Sequence, residues 1–137
     1  NPDDTELAEH EVIAESAIKL LVRQPGATSR QMAELLVPKL HGLVDVTYST
    51  TNGLIEISAS GVTKESGLQE LARHMGISAD RLVAFGDMPN DIPMLSMARH
   101  GVAVENAHPD AKAAADEVTA TNTEDGVARV LERWWRP

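Results

Sequence analysis

Asp87, Asn90 and Asp91 end the run Leu82-Val83-Ala84-Phe85-Gly86-Asp87-Met88-Pro89-Asn90-Asp91. Oxygen-rich side chains at this spacing can hold a hard cation against an anion. Mg²⁺ takes oxygen ligands in octahedral geometry and keeps several waters, so one or two carboxylates suffice to place it beside a phosphate. Asp87 is the candidate metal ligand, and Asn90 offers an amide to a phosphate oxygen. Asp91 opens the next helix, where its charge suits the N-terminal dipole. From there it can touch the metal through water or orient a lysine. Lys64 is the candidate lysine. It follows Gly61-Val62-Thr63 in the first turn of a predicted helix, an end that disfavours a cation. Aimed at a phosphate, it would neutralise charge that develops during transfer. The residues alone also admit plainer readings: an acidic turn that caps a helix, and a solvated lysine.

Elements able to position these groups are legible around them. The apolar run Leu82 to Phe85 predicts a buried parallel strand, and ligands of open α/β sheets collect beyond such carboxyl ends. Thr63 and Gly76 bracket a helix with Leu68, Leu71, Ala72 and Met75 on one face. A short helix is expected from Asn90 to Arg99, with Pro93 in its first turn. Gly101 to Val104 reads as a second buried strand, Pro109 to Ala115 as a helix, and Val118 as part of a third strand. Thr123 opens a last helix ending near Trp134. Strand and helix alternate at short spacing, which predicts an α/β fold: a parallel sheet with helices on both faces.

The first sixty residues have another rhythm. Asp3 and Glu6 form a capping-box pattern for a helix to about Val22, with Ala14, Ala17, Ile18 and Leu21 as its apolar face. Thr28 and Gln31 cap a second helix carrying Met32, Leu35, Leu36 and Leu40. Leu43 to Ser49 and Leu54 to Ser58 read as a hairpin around Thr51-Asn52-Gly53. Helix, helix and hairpin make a small α+β layer.

Composition narrows the function classes. The chain has 137 residues, a net charge of −9, 42% hydrophobic residues, 3% aromatics and no cysteine. The core must therefore come from Ala, Val, Leu and Ile. Nucleic acid is not expected as a partner, since phosphate backbones need clustered Lys and Arg. A disulfide framework, a thiolate metal site and a cysteine nucleophile are excluded. No apolar run reaches membrane-span length and no signal peptide is visible, so no membrane partner and a cytoplasmic location are the expectation. No histidine pair has helical zinc spacing. Asn106 is either a site residue or a capping amide, and His108 either nears the site or shapes a turn. Trp134-Trp135 is expected to pack the last helix onto the sheet.

Four stretches occur in an order that resembles the C-terminal half of a haloacid dehalogenase (HAD) superfamily phosphatase of the Cof-like, type-II-capped kind. They are Gly61-Val62-Thr63-Lys64, Ala84 to Leu95, Gly101 to Ala107, and Asn122 to Ala128. The resemblance implies half of a Rossmannoid parallel sheet with flanking helices over residues 61–137. It implies the latter part of an α+β cap, which selects substrate, over residues 1–60. By the same analogy Lys64 contacts phosphate, Asp87 binds Mg²⁺, Asn90 contacts phosphate, and Asp91 is a supporting acid at the metal. The expected function is Mg²⁺-dependent hydrolysis of small phosphomonoesters, such as sugar phosphates, through an aspartyl-phosphate.

The nucleophile of such enzymes is the first Asp of an Asp-x-Asp-Gly motif, and this sequence has none. Asp3-Asp4-Thr5 lacks the spacing, and Asp45-Val46-Thr47 lacks the second Asp. The chain is therefore expected to be a partial protein, inactive alone. Its expected partners are a small phosphorylated substrate and either the missing N-terminal half or a second copy, met at an open sheet edge. A non-catalytic Mg²⁺/phosphate-binding module, or one subunit of a split assembly, is the alternative.

Overall fold

A computed structural model describes residues 16–134. Two three-stranded sheets follow one another along the chain. The first is antiparallel, in the order β1-β3-β2, with β1 at Lys19–Arg23, β2 at Val44–Thr47 and β3 at Leu54–Ala59. Helix α1 (Ser29–Leu40) lies between β1 and β2 in the chain and packs against β2 and β3. Thr28 and Gln31 form the expected capping box. Ser29 is fully buried, and its Oγ accepts the backbone N–H groups of Gly53 and Leu54, each at 3.1 Å. This bond ties the start of α1 to the hairpin return.

Lys19–Arg23 corrects the expectation of a helix running to Val22. These residues pair antiparallel with β3, from Lys19 opposite Ser58 to Arg23 opposite Leu54. The hairpin leaves one edge of β3 with free backbone donors and acceptors, and pairing there outweighs local helix propensity. Asp3, Glu6 and Ala14 lie outside the described residues. The register puts Lys19, Thr47, Glu56 and Ser58 on one face of this sheet, because side chains alternate along a strand. Ile55, fully buried, faces the other way.

The second sheet is parallel, in the order β4-β5-β6, with β4 at Val83–Gly86, β5 at His100–Val104 and β6 at Glu117–Thr119. Helix α2 (Lys64–Met75) precedes it, capped by Thr63 and ended by Gly76 in the left-handed conformation. The stretch expected as one helix from Asn90 is a 3₁₀ turn, Pro89–Asp91, followed by α3 (Ile92–Met97). Helix α4 (Pro109–Ala114) and α5 (Gly126–Leu131) complete the chain. The last helix does not open at Thr123. Thr121 and Glu124 cap a 3₁₀ turn, and Asp125 in the left-handed conformation re-aims the chain into α5. Trp134 meets His100 edge-on at 5.7 Å, whereas Trp135 lies outside the described residues.

The core is built from small side chains, as the scarcity of aromatics requires. Ala84, Leu95, Ala98, Ala103, Val104, Ala107 and Ala111 form one buried cluster between α3, α4 and the sheet. Gly101 lets α3 approach closely, since a Cβ there would lie 2.4 Å from the Leu95 carbonyl oxygen. Among the described residues β4 pairs with β5 alone, so its other side is an edge. No helix among them is long and apolar enough to cross a membrane.

Candidate functional site

The end of β4 brings the sequence-predicted residues together. Gly86 closes the strand, Asp87 and Met88 leave it, and the 3₁₀ turn returns Asp91 beneath them. Asp91 is 3% exposed. Its Oδ2 accepts the backbone N–H groups of Asp87 at 3.0 Å and Met88 at 3.1 Å. Its Oδ1 accepts from Lys64 Nζ at 2.5 Å. The carboxylate thus fixes the loop backbone with one oxygen and the lysine with the other. Gly86 makes room for it, because a Cβ at that position would lie 2.5 Å from the Asp91 Cβ.

This ion pair explains the cation at the wrong end of α2. Lys64 is the first residue of the helix, where the dipole opposes it, and Asp91 supplies the compensating charge. The Lys64 side chain remains half exposed and keeps further N–H donors for another anion. Burial pushes the Asp91 carboxyl up, but the Lys64 ammonium and the N–H groups of Asp87 and Met88 outweigh it. The group is held below the usual carboxylate range.

Asp87 has the opposite character. Its side chain is exposed, and it makes no ion pair among the described residues. Partial burial and the neighbouring Asp91 charge push its carboxyl up, with Lys64 opposing. Its backbone carbonyl accepts the N–H of His108 at 2.7 Å. His108 also caps α4, its Nδ1 accepting the Asp110 N–H at 3.2 Å. The histidine therefore shapes a turn and at the same time pins the loop. Asn106 is paired with Asn122: its Nδ2 donates to the Asn122 Oδ1 and its Oδ1 accepts the Asn122 backbone N–H, each at 3.1 Å.

Asn90 completes the group. Its Oδ1 is buried without a hydrogen-bond partner among the described residues, a costly state for an amide oxygen. Asn90 and Lys64 line one cavity of about 270 Å³, whose opposite wall is the first sheet, through Lys19, Thr47, Glu56 and Ser58. Lys19 and Glu56 are not among the residues expected at the site. The polar alternation of Glu56 and Ser58 along β3 is their signal in the sequence, and the helical periodicity of Ala14, Ala17, Ile18 and Leu21 masks the partner strand.

The donor set suits a hard divalent cation. Two carboxylates stand beside one lysine that is paired with the buried one, the exposed one makes no ion pair among the described residues, and an amide oxygen without a partner among them lies three residues away. Among the described residues no three His, Asp or Glu side chains form a metal cluster. Asp87 is the residue that could hold Mg²⁺, which takes one or two carboxylates from a protein at a phosphate site.

Comparison with known proteins fits this geometry. The family model of haloacid dehalogenase-like hydrolases matches residues 1–131. The chain belongs to that family, and within it to the Cof-like hydrolases. A 5-amino-6-(5-phospho-D-ribitylamino)uracil phosphatase of Bacillus subtilis (strain 168) is 45% identical over 82 residues, 60% of this chain and 30% of the relative. A sugar phosphatase of HAD subclass IIB superposes with a TM-score of 0.79 at 32% identity, covering 93% of this chain and 47% of that one. A HAD/COF-like hydrolase from Plasmodium vivax superposes with a TM-score of 0.81 at 30% identity, covering 92% and 45%. The chain therefore spans less than half the length of these relatives.

Proposed function

We propose that this chain carries the metal- and phosphate-binding half of a Mg²⁺-dependent phosphatase acting on small phosphorylated metabolites, sugar phosphates among them. The observation that carries the reading is the Asp91 carboxylate. It holds Lys64 and the Asp87–Met88 backbone in one unit at the end of a parallel strand. In this reading Asp87 holds the cation, with Asn90 and Lys64 on the phosphate oxygens. Asp91 keeps Lys64 aimed and Asp87 at the mouth of the sheet, which places it beside the metal without spending its own charge there. When bound, Mg²⁺ screens the charge of the phosphoryl group. Residues 61–137 belong to the catalytic core and residues 1–60 to the cap. The attacking carboxylate comes from an Asp-x-Asp-Gly segment outside this sequence; it displaces the alcohol of the phosphoester to form an aspartyl-phosphate, which water hydrolyses to inorganic phosphate and the free carboxylate. Lys64 neutralises charge on the phosphoryl oxygens during both steps. The side of β4 that is unpaired among the described residues is the expected docking edge for that segment.

The test is calorimetry of Mg²⁺ with inorganic phosphate, on the chain and on Asp87→Asn, followed by phosphate release from sugar phosphates. The expected result is Mg²⁺ binding that Asp87→Asn abolishes, no turnover by the chain alone, and turnover once the Asp-x-Asp-bearing portion is added. Turnover by the chain alone would place the nucleophile within these residues. Binding without turnover, even after that addition, would make the chain a binding module.

A further inference from the structure

Both backbone groups of Asp87 are held, and by different residues. Its N–H donates to Asp91 Oδ2 at 3.0 Å, and its carbonyl accepts the His108 N–H at 2.7 Å. His108 is thus the second anchor of the candidate metal ligand, and unlike Asp91 it reaches beyond the parallel sheet. Its Nδ1 accepts the Asp110 N–H at the start of α4. Its ring meets Tyr48 edge-on, with centroids 6.2 Å apart and planes at 75°. The His108 side chain is only 13% exposed, and Tyr48 directly follows β2 of the antiparallel sheet. This contact lies where the molecule is thinly joined. The elements of each sheet pack chiefly on one another, and the chain crosses between the sheets over residues 60–63. Beside Tyr48 an open groove of about 330 Å³ runs between α1, through Arg30, Glu34 and Pro38, and α4, through Asp110.

We infer that His108 is a positioning residue that links contact between the two sheets to the placement of Asp87. The inference rests on the reading of Asp87 as the cation ligand. The chain of cause is short. Tyr48 holds the ring, the ring and Asp110 fix the backbone at His108, and the His108 N–H fixes the Asp87 carbonyl. With the ring held, the Asp87 peptide keeps one orientation, and its carboxylate meets a cation with less ordering left to do. When the sheets part, the ring loses Tyr48 and the turn at His108 keeps only its local bonds. By linkage, a cation that favours the ordered Asp87 favours contact between the sheets to the same extent. Binding of the metal therefore draws the antiparallel sheet onto the site. Capping of α4 alone would need only the Nδ1 acceptor and would give the contact with Tyr48 no part in metal binding.

The experiment is amide NMR of this chain, metal-free and titrated with Mg²⁺, beside His108→Asn, His108→Phe and Tyr48→Leu. Asparagine keeps an acceptor for the start of α4 and loses the ring, whereas phenylalanine keeps the ring and loses the acceptor. Without metal, Tyr48→Leu and His108→Asn are expected to shift and broaden the Asp87 and Met88 amides, and His108→Phe to leave them closer to the parent. Mg²⁺ affinity is expected to fall about 5-fold in Tyr48→Leu and in His108→Asn, within what one aromatic contact supplies. It should fall no further when the two are combined, and His108→Phe should stay within about 2-fold of the parent, since the contact survives there. Mg²⁺ should also shift the Tyr48 amide of the parent and leave it still in His108→Asn. The reverse order, with His108→Asn like the parent and His108→Phe impaired, would make His108 a helix cap and overturn the inference. Asp87 and Met88 amides unmoved by Tyr48→Leu would overturn it as well. The same amides following Tyr48→Leu in a chain that binds no Mg²⁺ would keep the link between the sheets and overturn the reading of Asp87 as a cation ligand.

Discussion

The two sheets each bury an acid against a half-exposed lysine, and they fix it by different means. On the parallel sheet Asp91 takes Lys64 and two backbone N–H groups. On the antiparallel sheet Glu56 takes Lys19 and a serine hydroxyl, all side chains. The first acid is part of the chain's path, because the loop that carries Asp87 closes on it. The second is a fitting on a strand whose ladder forms without it. Residues around Asp91 are therefore bound to the fold, while residues around Glu56 are free to change with whatever the cavity holds.

The largest effect expected from this difference is the loss of Asp91. Asp91→Ala leaves two N–H groups and Lys64 without their acceptor in a desolvated loop, at a cost of about 3 kcal/mol. Glu56→Ala leaves a lysine that can turn to water and a serine that can rotate, at a cost of about 1–2 kcal/mol. Urea denaturation of both variants at pH 7 measures the gap, and equal losses would break the distinction. Acid offers a second reading of the same pair. Both carboxyls are held below their ordinary range, so their stabilisation is full above the unfolded value, near pH 4. It is lost as pH falls through the lower folded values. Asp91→Asn should flatten the acid limb of the stability profile more than Glu56→Gln does.

A somewhat smaller effect is expected at Gly86. A methyl group there lies 2.5 Å from the Asp91 Cβ, and the acid must move or the strand end must bend. Overpacking of this kind costs about 1–3 kcal/mol. Gly86→Ala should also weaken Mg²⁺-dependent phosphate binding, since the displaced carboxylate releases Lys64. A variant with unchanged thermal midpoint and unchanged binding would show that the cradle is looser than its contacts indicate.

Local signals made the parallel half legible. A four-residue apolar run, a capping threonine, a closing glycine and the buried strand β5 each announce themselves within ten residues, and the site residues follow the strand end by a general rule of α/β sheets. The antiparallel half failed at one element for an equally physical reason. Lys19–Arg23 is a short apolar run that periodicity alone cannot assign to strand or helix, and its pairing with the edge of β3 decides it. With β1 read as helix, Lys19 could not be placed beside Glu56, and the second wall of the cavity stayed invisible. Asn90 shows a different limit. Its position was readable, but that its oxygen is buried without a partner is a property of packing, which no spacing reveals.

The smallest expected effect has the reverse sign and separates stability from binding. Asp87 is exposed and its carboxyl is pushed up by partial burial and by the Asp91 charge. A raised folded value means that the ionised group opposes folding. The penalty is full above the folded value and disappears below the unfolded one, near pH 4. Because water screens the exposed group, the penalty is only a few tenths of a kcal/mol. Asp87→Asn should therefore raise the urea midpoint slightly at pH 7 and leave it unchanged at pH 3.5. Added Mg²⁺ should stabilise the unmodified chain by mass action and leave the variant untouched. Asp91 would then be a carboxylate kept for the fold, and Asp87 one kept against it, which is the expected mark of a group retained for a ligand. A variant less stable than the parent at neutral pH, or one that Mg²⁺ still stabilises, would move Asp87 into the same structural class as Asp91 and remove the contrast between them.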